Sequence, residues 1–180
     1  MQLSFETERL ILRPFNHTDA SEVQLLAGNI EVAKTTLSLP HPYPDGSAEV
    51  WIDFRRDAAR QGHGYTFAIT NKESKLLLGS ISLNITSEHK RAELGYWLGV
   101  PYWRKGYTTE AAARIIQFGF EELKLNKIFA AALTRNPASS KVMIKIGMKH
   151  EGLLRQHVLK WGQPEDVTYY GLTRDDYDRL

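Results

Sequence analysis

Cysteine is absent from the 180 residues, which excludes disulfide frameworks, thiolate metal sites and cysteine nucleophiles. Nowhere does the chain carry the run of about 20 apolar residues that a membrane-spanning helix requires. Its hydrophobic share of 42% and charged share of 24% suit a soluble globular protein instead. The first twenty residues alternate acids and bases and lack a cationic start followed by an apolar block. No export signal is therefore read, and a cytoplasmic location is expected. Repeats, low-complexity tracts and Gly/Ser linkers are missing, so one domain is expected over 1–180. The six histidines are scattered without His-x-x-x-His or clustered-carboxylate spacing, and no metal is expected. A formal charge of only +2 gives no reason to expect a nucleic acid as partner, and nothing points to a membrane.

What charge there is lies unevenly. Residues 1–90 hold 9 Lys/Arg and 11 Asp/Glu, whereas Arg91 to Lys149 hold 10 and 4. Such a surplus fits either a solvated surface or a site for a small anion.

Periodicity outlines the elements. Arg9 to Phe15 reads as a strand with Leu10 and Leu12 on one face. Asn16 offers a cap for a helix reaching about Ala27. Pro40, Pro42 and Pro44 make 36–46 a loop. Ser47 to Arg60 returns to helical spacing, with Val50, Trp51, Phe54 and Ala58 on its apolar stripe. Three strands follow, Tyr65 to Thr70, Leu76 to Ile85 and Arg91 to Leu98. A helix is then expected from about Thr109 to Lys124, with Ala112, Ile115, Ile116, Gly119 and Leu123 inward. After a strand over Lys127 to Leu133, Asn136-Pro137 starts a helix that Gly147 ends. Two strands, Glu151 to Trp161 and Asp166 to Leu172, close the chain. The pattern describes an α/β or α+β fold, a mixed sheet with helices on its faces.

The stretch from Glu93 to Glu110 moves from an apolar strand through a basic, glycine-bearing turn into a helix. Such a turn presents backbone N–H groups at the positive end of a helix, where phosphate binds. It is neither a Walker loop nor a dinucleotide fingerprint, since Gly-Lys-Ser/Thr and Gly-x-Gly-x-x-Gly are both missing.

Trp103-Arg104-Lys105-Gly106-Tyr107-Thr108, followed by Thr109-Glu110-Ala111, resembles the acetyl-CoA pyrophosphate loop of the GNAT N-acetyltransferases. Trp in the first position is similar to their ribosomal-protein-type (RimJ/RimL-like) branch. Arg104 departs from that branch's glycine, and Thr108 from the family's Gly/Ala. The resemblance spans nearly the whole chain. Thr7-Glu8-Arg9-Leu10-Ile11-Leu12-Arg13-Pro14 resembles the branch's opening strand, and Pro42-Tyr43-Pro44 its substrate-side loop. Ala92-Glu93-Leu94-Gly95-Tyr96-Trp97-Leu98 is similar to its fourth strand. Asn136-Pro137-Ala138-Ser139 with Ile146-Gly147-Met148 resembles its Asn-x-x-Ser helix. Glu151-Gly152, Gly162 and Asp166-Val167 resemble its last hairpin.

The resemblance implies a GNAT-like, mostly antiparallel sheet of about seven strands with helices on both faces. It also implies acetyl-CoA as cosubstrate, with direct transfer of acetyl to a primary amine in a ternary complex. The fourth strand would splay from the fifth, freeing backbone near Trp97, Leu98 and Val100 for pantetheine. Amides of Lys105, Gly106, Tyr107 and Thr108 would hold the pyrophosphate, with Arg104 and Lys105 adding charge. Asn136 would reach the pantetheine arm, cap its helix, or do both.

Glu93, a carboxylate in an apolar strand, is the candidate base; alternatively it turns outward to pair with Arg91. Ser139 is the candidate donor to the leaving thiolate, with Tyr107 as an alternative. Tyr43, Trp51, Tyr96 and Trp161 are candidates to line the acceptor groove. An α-amine titrates near 7.7–8.0 and a lysine near 10.4, so a protein N-terminus needs less help from a base. The branch resemblance likewise implies N-terminal Ala or Ser of a ribosomal protein. A small amine such as a polyamine or antibiotic is the alternative acceptor, and an acyl-CoA-binding module without turnover is the non-catalytic one. The chain would act as a monomer or homodimer.

Overall fold

Strand alternation buries Leu10 and Leu12 completely on one side of β2 (Leu10–Pro14), as their spacing predicts. The computed structural model describes residues 3–180; Met1 and Gln2, which open the domain expected over 1–180, lie outside the described residues. Around β2 the described residues build one eight-stranded sheet. Its other strands are β1 (Phe5–Glu6), β3 (Gly64–Asn71), β4 (Leu77–Thr86), β5 (Arg91–Leu98), β6 (Lys127–Leu133), β7 (Lys149–Lys160) and β8 (Gln163–Thr173). Their order is β1-β2-β3-β4-β5-β6-β8-β7. Every neighbouring pair is antiparallel except β5 with β6. The eighth strand, β1, is only two residues long, too short to leave a period in the sequence.

Helices cover both faces. On one lie α1 (Ala20–Ala27), α2 (Ile30–Thr35) and α3 (Ser47–Arg60), over a cluster of Phe15, Val23, Ala27, Ile52, Ala68 and Leu77. On the other, α4 (Tyr107–Glu121) and α5 (Pro137–Lys145) pack over Phe67, Ile81, Leu94, Ile115, Ile128 and Met143. A four-residue helix, α6 (Arg174–Tyr177), ends the fold. Asn16 and Asp19 form a reciprocal capping box ahead of α1, and Arg13 clamps Asp19 with two hydrogen bonds of 2.8 and 2.7 Å.

Two expectations need correction, and the helix α2 was not read from the sequence. The apolar stripe of α3 is phased differently: Ala48 and Ile52 are buried, while Val50 and Phe54 are 70% and 63% exposed. Packing against β3 selects the face with the small and β-branched residues, and the larger apolar pair is left in solvent. The unread α2 follows directly on Asn29, whose side chain accepts from the Glu31 amide at 2.9 Å; six residues are too few for a helical period to register. The other correction is that α4 begins at Tyr107, two residues earlier than its apolar spacing suggests, because the αL residue Gly106 (φ 80°) turns the chain into it. Close packing of this helix on the sheet depends on Gly119. A Cβ there would lie 2.7 Å from Ile128 Cδ1 and 3.2 Å from Leu83 Cδ1.

Candidate active site

The ladder between β5 and β6 lasts for three residue pairs. Arg91, Ala92 and Glu93 face Lys127, Ile128 and Phe129, and there the pairing stops. Beyond Glu93 the two parallel strands diverge and leave a gap through the sheet. On its far side β5 stays paired with β4 to Leu98, and Gly99 continues by donating to Leu78 O at 2.9 Å. Antiparallel ladders alternate, so Trp97 turns its backbone polar groups to β4 while Tyr96 and Leu98 turn theirs to the gap. The Leu98 carbonyl accepts from the Trp103 indole Nε1 at 2.8 Å. Trp97 therefore has its backbone in the sheet, and Leu98 keeps its N–H directed to the gap. Val100 begins a single 3-10 turn through Tyr102.

That turn delivers the chain to the basic loop. Arg104 (φ 62°) and Gly106 (φ 80°) both adopt positive φ, and Gly106 caps α4 without a side-chain acceptor. The first return hydrogen bond of the helix is Glu110 N to Gly106 O, at 3.1 Å. Amides from Lys105 to Thr109 have no acceptor among the described residues. They cluster at the positive end of a 15-residue helix, the arrangement that attracts an anion.

The loop is braced from the turn that leads into β2. Arg9 donates from Nη1 to Lys105 O at 2.9 Å and from Nε to Glu110 Oε2 at 2.7 Å, with its guanidinium 4.6 Å from the Tyr107 ring centre. Glu110 Oε1 also accepts from Thr7 Oγ1 at 2.6 Å and from Arg9 N at 2.8 Å. Burial alone would raise the Glu110 pKa, but these donors hold it below the usual carboxylate range. The sequence reading gave Thr7, Arg9 and Glu110 no part in the site. Their signal was present in the matched Thr-Glu-Arg and Thr-Thr-Glu segments, about a hundred positions apart.

Either face of the gap carries one reactive element. Glu93 stands at its apex on the α1–α3 face. Burial pushes the carboxyl above the usual carboxylate range, with no charged neighbour among the described residues offsetting it. Arg91 does not pair with it; its guanidinium lies 5.7 Å from the Phe129 ring centre. On the opposite face, Tyr96 Oη and Ser139 Oγ are 2.8 Å apart, joining β5 to the first turn of α5 across the gap. Burial pushes the Tyr96 phenol up to about 12, despite the hydrogen bond to Ser139.

Asn136 serves as the α5 cap, accepting from Ser139 N at 3.3 Å, and its Nδ2 donates to Thr35 O at 3.0 Å. Lys160, at the end of β7, donates to Leu39 O at 2.9 Å. The end of α2 is thus held against α5, and the proline-bearing loop 36–46 that follows it against the last hairpin. The four aromatic acceptor candidates do not form one surface. Tyr43 and Trp51 pack on the α1–α3 cluster, Trp51 edge-on to Phe15 at 5.0 Å. Trp161 stands at the hairpin tip, 6.4 Å from His41. Tyr96 belongs to the α4 face, because one step along a strand changes the side.

An open-ended gap beside unsatisfied helix-start amides fits a long ligand with a diphosphate. A family model described as "Acetyltransferase (GNAT) domain" matches residues 9–149. The chain is 31% identical over 170 residues to "Uncharacterized N-acetyltransferase YoaA" of Bacillus subtilis (strain 168), covering 94% of this chain and 96% of that protein. Its fold is similar to that of a ribosomal-protein-S5-alanine acetyltransferase from Vibrio fischeri, with a TM-score of 0.84, 23% identity and coverage of 97% and 98%. It is also similar to the microcin C7 self-immunity acetyltransferase MccE, solved with acetyl-CoA and AMP, with a TM-score of 0.84, 21% identity and coverage of 93% and 93%.

Proposed function

Since the chain belongs to the GNAT acetyltransferase family and is an acetyl-CoA-dependent N-acetyltransferase, we propose that it acetylates the N-terminal α-amine of a protein, such as a ribosomal protein, in the cytoplasm. One observation carries the cofactor half of this reading: the unsatisfied amides between Lys105 and Thr109, beside a gap that admits an extended arm.

Acetyl-CoA supplies a thioester whose acetyl group is transferred. The pyrophosphate lies on the amides of Lys105, Gly106, Tyr107 and Thr108, with Arg104 and Lys105 contributing charge. The pantetheine arm runs along the backbone of Tyr96, Leu98 and Val100, and Asn136 fixes the start of α5 beside it. The amine approaches from the α1–α3 face, where Glu93 takes up its proton directly or through water. A carboxyl of raised pKa holds that proton more readily near neutrality than an ordinary glutamate. On the other face Ser139 and Tyr96 donate hydrogen bonds to the sulfur as it takes on negative charge. A phenol near 12 keeps its own proton there and acts by stabilising charge.

The α-amine is favoured as acceptor because about half of it or more is already deprotonated near pH 8, so it asks little of a single carboxylate. Thiol release would be followed with acetyl-CoA and peptides starting Ser or Ala, and in parallel with polyamines and aminoglycosides. Release with the peptides alone is expected. Release with the small amines alone would replace the acceptor, and acetyl-CoA binding without release would leave a binding module.

A further inference from the structure

We propose that Arg55 reads a carboxylate carried by the acceptor itself, so that the preferred substrate is an amine with an acidic group close by. This deepens the α-amine reading above and rests on it: the acceptor becomes a protein N-terminus with Asp or Glu at its second or third residue.

Arg55 lies on α3 and reaches over the sheet to β4, where its Nη1 donates to Asn84 Oδ1 at 2.7 Å. Asn84 is the cross-strand register partner of Glu93, so Arg55, Asn84 and Glu93 share the α1–α3 face. The guanidinium is half-buried, with the Trp51 and Phe54 ring centres 5.9 and 5.6 Å away. Its Nε is buried without a hydrogen-bond partner among the described residues, and no acid there lies close enough to form an ion pair with it.

A half-buried cation without a counter-ion is costly, and a guanidinium with no acid on its terminal nitrogens is suited to capture of a carboxylate. The neighbouring clamp shows the contrast: Arg13 has both terminal nitrogens on Asp19. Arg55 has an amide oxygen on Nη1 and no acid on either terminal nitrogen; with Nε shut off from solvent, it is the terminal nitrogens that a ligand carboxylate would meet. Register also sets the separation. Paired residues in such a ladder stand about 5.5 Å apart, and an extended peptide advances about 3.3 Å per residue. An amine at Glu93 therefore leaves the side chain of the second or third residue within reach of Arg55. Lysine-rich or polyamine acceptors would put positive charge against the same group.

The test compares Ser-Glu, Ser-Gln and Ser-Lys peptides of otherwise equal sequence by thiol release, for the natural chain and for Arg55→Gln and Arg55→Lys. For the natural chain, kcat/KM for Ser-Glu should exceed that for Ser-Gln by about tenfold, with Ser-Lys lowest. Arg55→Gln should bring the Glu-to-Gln ratio near one, and Arg55→Lys should restore part of it. Equal kcat/KM for Ser-Glu and Ser-Gln in the natural chain overturns the proposal while leaving the α-amine reading intact, and needs no variant to fold. If no peptide is turned over but a small amine bearing a carboxylate is, with the same dependence on Arg55, the α-amine reading fails and Arg55 keeps its role. If nothing is turned over, calorimetry with Ser-Glu and Ser-Gln decides, and equal affinities overturn the proposal.

Discussion

Between Trp103 and Glu110 the groups proposed to do the work are main-chain amides, whereas around Glu93 they are side chains drawn from α3, β4 and β5. The first region is local. A strand end, a positive-φ turn and a helix start follow one another within a dozen residues, and Arg9 braces the result from outside. The second is assembled across the fold, with Glu93, Asn84 and Arg55 meeting only because the sheet register and the packing of α3 bring them together. A site made of amides is indifferent to most side-chain changes so long as the backbone keeps its course. A site made of side chains changes its chemistry with each substitution.

The comparison can be broken most directly at Glu93. Glu93→Gln is expected to lower kcat by about 10²–10⁴-fold, with the acetyl-CoA affinity measured by calorimetry unchanged. In the natural chain the raised carboxyl pKa places the rise of kcat/KM with pH above the usual glutamate range; the variant should lose that limb. A matching loss of cofactor affinity would show that the two regions are not separable.

Gly106→Val should act in the opposite sense. At φ 80° a β-branched residue is strained, and its Cβ would stand 3.4 Å from the Arg9 guanidinium. The acetyl-CoA dissociation constant should rise by about 100-fold. Arg9→Ala removes the brace and leaves the loop's own residues in place, so the same constant should rise by about tenfold. If that variant bound acetyl-CoA as the natural chain does, the loop would hold its shape without the brace.

The smallest effect is on stability. An acid whose pKa is raised by folding binds its proton more tightly in the native state, so its contribution is fully present below the unfolded pKa and is lost as pH rises through the folded one. Glu93→Gln should therefore unfold at a higher temperature than the natural chain near neutral pH, and the difference should vanish in acid. Thermal unfolding at a series of pH values would read it.

The contrast also explains what could be read from the chain. The loop, its helix and the caps at Asn16 and Asn136 are local patterns, and they were legible. Glu93 was singled out because a carboxylate between apolar neighbours stands out along one strand, and the structure sets it where the β5–β6 pairing ends. Arg55 was not singled out: on a helix it looks like any solvated cation, and Asn84, which it bonds, lies 29 positions away. The Arg9–Glu110 brace spans 101 positions, beyond any periodic signal. Tyr96 was read as an acceptor contact because sequence marks which residues alternate but not which face meets α5. The α3 stripe was misphased for a related reason: Val50 and Phe54 look like core until β3 chooses Ala48 and Ile52.

Asn136 and Lys160 hold the chain near Thr35 and Leu39 by grasping carbonyl oxygens, a feature that every amino acid offers equally. The fastening is therefore blind to what the proline-bearing segment displays. Mutation is free to redraw that segment's outward chemistry without loosening the stitches that keep it in place.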